Sequence, residues 1–206
     1  MKLSKNLFAT LVCVALCATL FVSCDNDDPT PEPEPQGVLI NGVRWATSNV
    51  DAPGTFAATP ESRGMLFQWG SRRAWNTTDP EISGDWPFSP SGTTWVREDD
   101  PCPPGWRIPT EDQLRSLYDA GSIWTTRYGV YGRLFGTAPH QIFLPAAGRR
   151  LGLFGGSLSF VHRAGHYWSN TQISSTSAMG LRFDSGETSV TNAGRRDANS
   201  IRCVAE

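Results

Sequence analysis

The placement of the five cysteines constrains the fold of this chain more than any other sequence feature. Three of them, Cys13, Cys17 and Cys24, lie within the first 24 residues, which have the basic start, apolar run and small residues of a secretion signal. The other two, Cys102 and Cys203, would remain in the exported domain. Two such cysteines in an exported protein are expected to pair. In the chain-entropy model, closing a loop of this size contributes about 4–5 kcal/mol.

A reactive or metal-binding role for Cys102 is the alternative to a structural one. A catalytic thiol needs a partnering imidazole, and His140, His162 and His166 have no recognisable nucleophile spacing relative to Cys102. A zinc site would need more ligands than one cysteine at this position. We therefore interpret Cys102 as structural.

The N-terminal region predicts export followed by a lipid anchor. Lys2 and Lys5 precede a nearly apolar run from Leu7 to Val22, which is too short for a comfortable membrane span. Residues 20–24, LFVSC, resemble a bacterial lipobox, in which Cys24 becomes the lipidated first residue. Ordinary cleavage, with Cys24 as an incidental thiol, is the alternative.

Residues 25–37 carry five acidic side chains among prolines and no apolar residue that could pack. This composition favours an extended, solvated spacer. It also resembles the acidic signal of surface-exposed lipoproteins in Bacteroidetes-type bacteria, although a simple linker explains it too. We thus expect a signal peptide over 1–23, a lipidated tether over 24–37 and one domain over 38–206, exported, anchored to the outer membrane and exposed at the cell surface.

The charge of the expected domain is balanced, since residues 38–206 contain sixteen Arg and fifteen Asp or Glu and no Lys. A balanced domain does not favour nucleic acid as a partner, and we expect contact with the membrane through the lipid anchor alone. Arginine favours planar, bidentate contacts, which suits a recognition surface.

Local patterns predict an α+β fold with short, mostly antiparallel strands and long loops. Asn41-Gly42 indicates a hairpin turn, and Thr110 with Gln113 indicates a capping box that starts a helix ending near Gly121. A second helix is predicted over 122–132. Strands are predicted over 65–70, 142–145, 166–169, 178–183 and 200–204, with a turn at 184–187, a weak return strand from Val190 and a long Trp-rich insertion over 71–100.

Several phrases of this chain resemble, as an ordered set, the Fibrobacter succinogenes major paralogous domain family of exported bacterial proteins. They are VRWATSNV (43–50), APGTFAATPESRG (52–64), FQWG (67–70), DPCPPGWRIPT (100–110), FLPAAGRR (143–150), GHYWSNT (165–171), AMGLRF (178–183) and SIRCV (200–204). The resemblance covers essentially 38–206. It implies a C-type lectin-like fold, in which a disulfide commonly ties the region beside a helix to the last strand, in agreement with Cys102–Cys203.

The resemblance does not carry a catalytic or calcium-dependent function to this chain. Calcium-dependent lectins use Glu-Pro-Asn or Gln-Pro-Asp with Trp-Asn-Asp, and none of these triplets occurs here. The acidic run Glu98 to Asp100 is more typical of a solvated loop than of a calcium site. The formylglycine-generating enzymes share the fold, but the cysteine pair that they use is assigned here to the disulfide. We expect no cofactor and no bound metal.

Candidate ligand-binding residues lie in the C-terminal half, where a glycine-rich loop mixes bulky apolar, cationic and imidazole side chains. Packing of these aromatic side chains as loop anchors is an equally open alternative. A metal site at His162 and His166 is disfavoured because Gly165 and the loop context argue against helical spacing. The candidates are Arg149, Arg150, Leu153, Phe154, Phe160, His162, Arg163, His166, Met179, Arg182, Asp184, Arg195, Arg196 and Asp197.

These features predict a non-catalytic recognition or adhesion module that binds a glycan or a protein through its C-terminal loops. The alternation of family-like and miscellaneous residues there also resembles the variable region of proteins diversified by retroelements. Two alternatives remain open. One is an extracellular polymer-acting enzyme using Glu98, Asp99, Asp100 or Asp184, although no catalytic motif supports it. The other is a structural subunit of a surface assembly.

Overall fold

A computed structural model describes residues 37–87 and 92–206. The predicted signal peptide, the lipidation at Cys24 and all of the tether except Gly37 lie outside the described residues. Within the described residues, no helix is long and apolar enough to cross a membrane.

The described residues form fifteen strands, one α-helix and two short 3-10 turns. In chain order these are β1 (Val38–Ile40), β2 (Val43–Trp45), β3 (Leu66–Gln68), β4 (Ala74–Trp75), a 3-10 turn (Arg97–Asp99), β5 (Trp106–Arg107), α1 (Glu111–Asp119), β6 (Ser122–Arg127), β7 (Val130–Thr137), β8 (His140–Pro145), β9 (Arg149–Leu151), a 3-10 turn (Gly152–Phe154), β10 (Ser157–Ser159), β11 (Ala164–Gln172), β12 (Ser177–Asp184), β13 (Thr188–Gly194), β14 (Ala198–Asn199) and β15 (Val204–Ala205).

The predicted α+β, C-type lectin-like fold class is wrong. Of the described residues, 43% are in strands and 9% are helical, and the strands form four small antiparallel sheets, with a curled half-barrel sheet among them. The sheet orders are β1-β2-β15-β5, β10-β9-β14-β3-β4, β11-β12-β13 and β6-β7-β8. The fold is therefore mostly β, and α1 packs mainly against the β11-β12-β13 sheet instead of forming a layer.

The second predicted helix, over 122–132, is also wrong, because this segment forms the hairpin of β6 and β7. Residues 123–126, IWTT, are β-branched or aromatic, and such side chains fit a pleated sheet better than a helix. The turn lies at Tyr128-Gly129, where both residues have positive φ. β7 also pairs with β8, so β7 is the central strand of this sheet and β6 is an edge strand.

The predicted capping box and first helix are confirmed. Thr110 Oγ1 accepts from the Gln113 amide at 3.2 Å, and Gln113 Oε1 accepts from the Thr110 amide at 3.0 Å. Leu114 and Leu117 are buried in the larger core cluster, which also contains Trp45, whereas Tyr118 is half-exposed on the outer face.

The predicted disulfide is present: Cys102 and Cys203 are bonded, with their Cα atoms 6.1 Å apart. The bond lies in a second core cluster with Trp106 and Trp168. The strand predicted over 200–204 is wrong in its bounds, because β14 ends before it in one sheet and β15 begins at its last residue in another. Between them the chain crosses from sheet to sheet.

Part of the Trp-rich insertion packs on the domain through its aromatic rings. The Trp75 and Trp86 ring centroids are 4.6 Å apart, and Trp95 packs edge-on against Trp69 at 5.5 Å. Trp75 and Trp86 form a third, smaller core cluster with Leu66. The described part of this insertion is thus anchored by its aromatic rings, with a two-residue strand, β4, and one 3-10 turn as its regular structure.

Candidate functional site

A cleft of about 710 Å³ opens between the β6–β7 hairpin, the loop before β11 and the turn after β12. Its volume lies in the range of small-ligand sites. Five of the candidate binding residues line it: Phe160, His162, Arg163, Arg182 and Asp184. The other lining residues are Trp124, Tyr131, Ala164, Ser185, Gly186 and Glu187.

The hairpin contributes two aromatic rings to the cleft. The Trp124 and Tyr131 rings are stacked, with centroids 6.1 Å apart and an interplanar angle of 18°. Trp124 also packs against the buried ring of Phe183 at 6.5 Å, which ties the pair to the core. Sequence reasoning missed both rings because it placed them on a helix. The β-branched and aromatic residues on either side of the Tyr128-Gly129 turn were the signal that could have located them.

The loop before β11 holds Phe160 and His162 in an unusual backbone conformation. Both have φ of 64°, in the left-handed region that few residues other than glycine adopt. Two hydrogen bonds hold the loop in this conformation: the amides of Arg163 and Ala164 both donate to the Phe160 carbonyl at 3.0 Å. Strained non-glycine residues at a cleft are a recognised indication of a functional site.

Arg63, from the loop before β3, reaches the rim of the cleft. Its Nη2 lies 3.3 Å from His162 Nε2, and its Nη1 donates to the Thr77 carbonyl at 3.0 Å. Because a guanidinium can only donate, Nε2 of His162 is the acceptor in this contact. The Tyr131 ring lies 6.4 Å from the His162 ring, so hairpin and loop meet at this point.

An arginine–carboxylate pair forms the polar wall of the cleft. Arg182 Nη2 donates to Asp184 Oδ2 at 3.0 Å, while Asp184 Oδ1 accepts from the amides of Gly186 and Glu187 at 2.9 Å each. The two backbone hydrogen bonds, followed by the charge of Arg182, lower the pKa of Asp184. Asp184 therefore stays ionised and holds Arg182 in position, which suits ligand binding better than proton donation.

Four of the other candidates are buried. Arg150 donates through its guanidinium to Gly156, Asn76 and Asp79, and the Arg195 guanidinium lies 4.3 Å above the Trp69 ring. His166 and Met179 are buried on β11 and β12. These side chains support the sheets beneath the surface and do not line the cleft.

The remaining candidates lie around the β9–β10 turn. Arg149 pairs with Asp197 at 3.1 Å, and Asp197 also accepts from the Gly152 amide at 2.8 Å. Leu153 and Phe154 are exposed at the tip of this turn, and the carbonyl of Arg196 accepts from the Trp86 indole at 2.8 Å. The structure thus divides the predicted set into cleft, core and turn residues.

The acidic run at Glu98–Asp100 has a structural role through Asp100. Its carboxylate accepts from the amides of Cys102 at 2.8 Å and Ile108 at 3.1 Å, and burial raises its pKa. Among the described residues, no group of three or more His, Cys, Asp or Glu side chains is placed to hold a metal ion. No protein-family profile, curated protein or solved structure matches this chain.

Proposed function

We propose that this chain is a surface-tethered, non-catalytic recognition module and that its ligand is a glycan bound in the cleft. One observation carries the proposal: the stacked Trp124–Tyr131 pair and the anchored Arg182–Asp184 pair face the same cleft. Sugars have apolar C–H faces that pack on aromatic rings, and hydroxyl groups that hydrogen-bond to charged side chains.

The polar groups of the cleft are suited to hydroxyl ligands. Asp184 fixes Arg182 through one N–H group and leaves other N–H groups of the guanidinium for a ligand. Glu187 and His162 supply further polar atoms along the same cleft. Fixed donors and acceptors reduce the entropy lost on binding.

A concave cleft favours a glycan over a protein ligand. Protein interfaces usually bury about 800 Å² per partner on broad surfaces, whereas small ligands enter clefts lined by rings with a few polar groups. The apolar tip at Leu153 and Phe154 lies outside the cleft lining and is not part of the proposed site.

Surface tethering is supported by the N-terminal leader, the cysteine at position 24 and the acidic spacer. The resemblance to the Fibrobacter succinogenes major paralogous family is consistent with an exported protein. Retroelement diversification of the C-terminal region belongs to the same proposal. It predicts a near-repeat of the 3′ coding end beside a reverse-transcriptase gene, and the absence of both from the neighbouring DNA would refute it.

The test is a glycan-array screen of the purified protein with one variant in the cleft and one matched control. Tyr131→Ala removes a half-exposed ring from the cleft, and Phe154→Ala removes an exposed ring from the β9–β10 turn. We expect Tyr131→Ala to weaken binding about tenfold or more, and Phe154→Ala to leave it unchanged.

The opposite pattern, or equal losses in both variants, would contradict the proposed site. Release of sugar products that Asp184→Asn abolishes would assign a hydrolase instead. Binding of protein but no glycan would contradict the ligand class.

A further inference from the structure

A second cleft, of about 570 Å³, lies beside the β6–β7 hairpin and shares no lining residue with the first. It contains none of the candidate residues and is lined by Thr59, Pro60, Glu61, Ser62, Tyr128 and Val130. Val130 and Tyr131 are consecutive residues of β7 and therefore point to opposite faces of the hairpin. Because Tyr131 lines the first cleft and Val130 lines the second, the two clefts lie on opposite faces of the hairpin.

Tyr128, at the tip of the hairpin, supplies an aromatic ring to the second cleft. It is 93% exposed, which is the largest exposure among the large hydrophobic side chains of the described residues. A ring this exposed buries almost no apolar surface on folding and adds little to stability. Its contact surface is therefore available to a ligand.

The backbone at Tyr128 disfavours a bulky residue. Tyr128 and Gly129 have φ of 47° and 79°, and Asn41 and Gly42 in the β1–β2 hairpin have φ of 48° and 79°. Asn-Gly is the preferred sequence for this kind of two-residue turn. The tyrosine thus occupies its position against the local backbone preference, and outliers of this kind are found at functional sites.

The loop of residues 59–62 forms the other wall of this cleft and is fixed by hydrogen bonds. The Ser62 amide donates to the Thr59 carbonyl at 3.1 Å, and the hydroxyl oxygens of the same two residues are 3.0 Å apart. Directly after this loop, the buried side chain of Asn49 donates to the Arg63 carbonyl at 2.8 Å. The wall is therefore held in one conformation before a ligand binds, which reduces the entropy lost on binding.

The polar groups of this cleft suit the hydroxyl groups of an uncharged sugar. Among the described residues that line it, Glu61 alone is charged, and its carboxylate makes no hydrogen bond or ion pair with the described residues. The carboxylate can accept hydrogen bonds from sugar hydroxyls, and it repels an anionic ligand. Arg63 and Arg127 adjoin the two walls in the chain and disfavour a cationic ligand.

We propose that the second cleft is a separate binding site for an uncharged sugar, which packs an apolar face on the Tyr128 ring and donates hydroxyl hydrogens to Glu61. One chain then carries two sugar sites, on opposite faces of the β6–β7 hairpin. Because the two clefts have no lining residue in common, the second site binds independently of the first and does not rest on the proposed function. Two sites on one chain increase the avidity for a branched or repetitive glycan.

The experiment is an NMR titration that follows the backbone amides of the isotope-labelled protein. The probes are the uncharged methyl glycosides of glucose, galactose, mannose, xylose and N-acetylglucosamine, with arginine methyl ester as a cationic probe. The amides of Ser62 and Gly129 report on the second cleft, because Ser62 lines it and Gly129 lies between two lining residues. The amides of Ala164 and Gly186 report on the first cleft.

Three variants separate the two sites. Tyr128→Asn removes the ring, and Asn suits the backbone at this position, so this variant should melt at or above the wild-type temperature. Tyr118→Asn is the matched control, because Tyr118 is 44% exposed on α1 and lines neither cleft. Tyr131→Ala removes a ring from the first cleft alone.

We expect at least one uncharged glycoside to shift the Ser62 and Gly129 amides of the wild-type protein. Tyr128→Asn should weaken this binding about tenfold or more, whereas Tyr118→Asn and Tyr131→Ala should leave it unchanged. Shifts at the Ala164 and Gly186 amides alone would overturn the second site and leave the proposed function standing. Shifts at the Ser62 and Gly129 amides alone would support the second site and contradict the proposed first cleft.

Other results would overturn the inference in different ways. Equal effects of Tyr128→Asn and Tyr118→Asn on the second-cleft amides would refute the role of the Tyr128 ring. Weaker binding there in Tyr131→Ala would refute the independence of the two sites. Shifts caused by arginine methyl ester and by no glycoside would replace the sugar with a cationic ligand, and no shift with any probe would refute the site itself.

Discussion

Burial of His166 as a neutral imidazole should make the stability of this protein depend on pH in the mildly acidic range. His166 lies on β11 opposite Arg182 of β12 and is 5% exposed. Burial lowers its pKa to about 3, the charges of Arg149 and Arg182 add to this effect, and Asp184 opposes it. The native protein therefore keeps this imidazole neutral at a pH where the unfolded chain would protonate it.

The size and sign of the effect follow from the two pKa values. In the unfolded chain a histidine titrates near 6.5, so below that pH the unfolded state binds more protons than the native state. The free energy of unfolding then falls by about 1.4 kcal/mol for each pH unit between about 6.5 and about 3. Between about pH 7 and about pH 5 the loss from His166 amounts to about 2 kcal/mol, and above pH 7 it vanishes.

The assay is urea unfolding of wild type and His166→Gln at about pH 7 and about pH 5. Gln keeps a polar side chain of similar size but cannot titrate, and His140 and His162 are present in both proteins. We expect wild type to lose about 2 kcal/mol more than His166→Gln between the two pH values, whatever the stability of the variant at pH 7. Equal losses in both proteins would refute the assignment of a buried neutral imidazole.

Three further predictions concern the scaffold. Replacing Cys102 and Cys203 by Ser should lower the free energy of unfolding by about 4–5 kcal/mol, because the bond joins residues 101 positions apart. Urea unfolding measures this loss, and reductant should then no longer affect the stability of the variant. Thr110→Ala should cost about 1 kcal/mol in the same assay, and an unchanged midpoint would contradict the role of the capping box. Arg202→Met should cost at least about 3 kcal/mol because it leaves buried acceptors on Ala46, Asn49 and Phe143 unpaired, whereas the exposed Arg115→Met should cost under about 1 kcal/mol. Similar midpoints for the two variants would contradict this reasoning.

Features that depend on neighbouring residues could be predicted from the sequence. The Asn41-Gly42 turn pairs β1 with β2, and Thr110 with Gln113 starts α1, because in each case the residues that determine the structure lie within a few positions of one another. The disulfide was predictable for a different reason: three of the five cysteines fall in the predicted signal peptide and lipidation site, which leaves Cys102 and Cys203 to pair.

Features that depend on distant residues could not be predicted in the same way. The hairpin over 122–132 is a local feature that its β-branched and aromatic residues indicated, but the division of the end of the chain between two sheets is not local, because β14 meets β3 and β15 meets β2. Such pairings involve partners far apart in the sequence, and they override local preference.

The candidate site shows the same division. The composition of the C-terminal loops indicated Phe160, His162 and Arg182, but it also indicated His166, whose side chain the structure buries. The sequence by itself determined which residue types are present and the local turns that hold them. Tertiary packing alone decided which of them face one cleft, because that depends on how the β6–β7 hairpin meets the loop before β11, a contact between segments that are distant in the sequence.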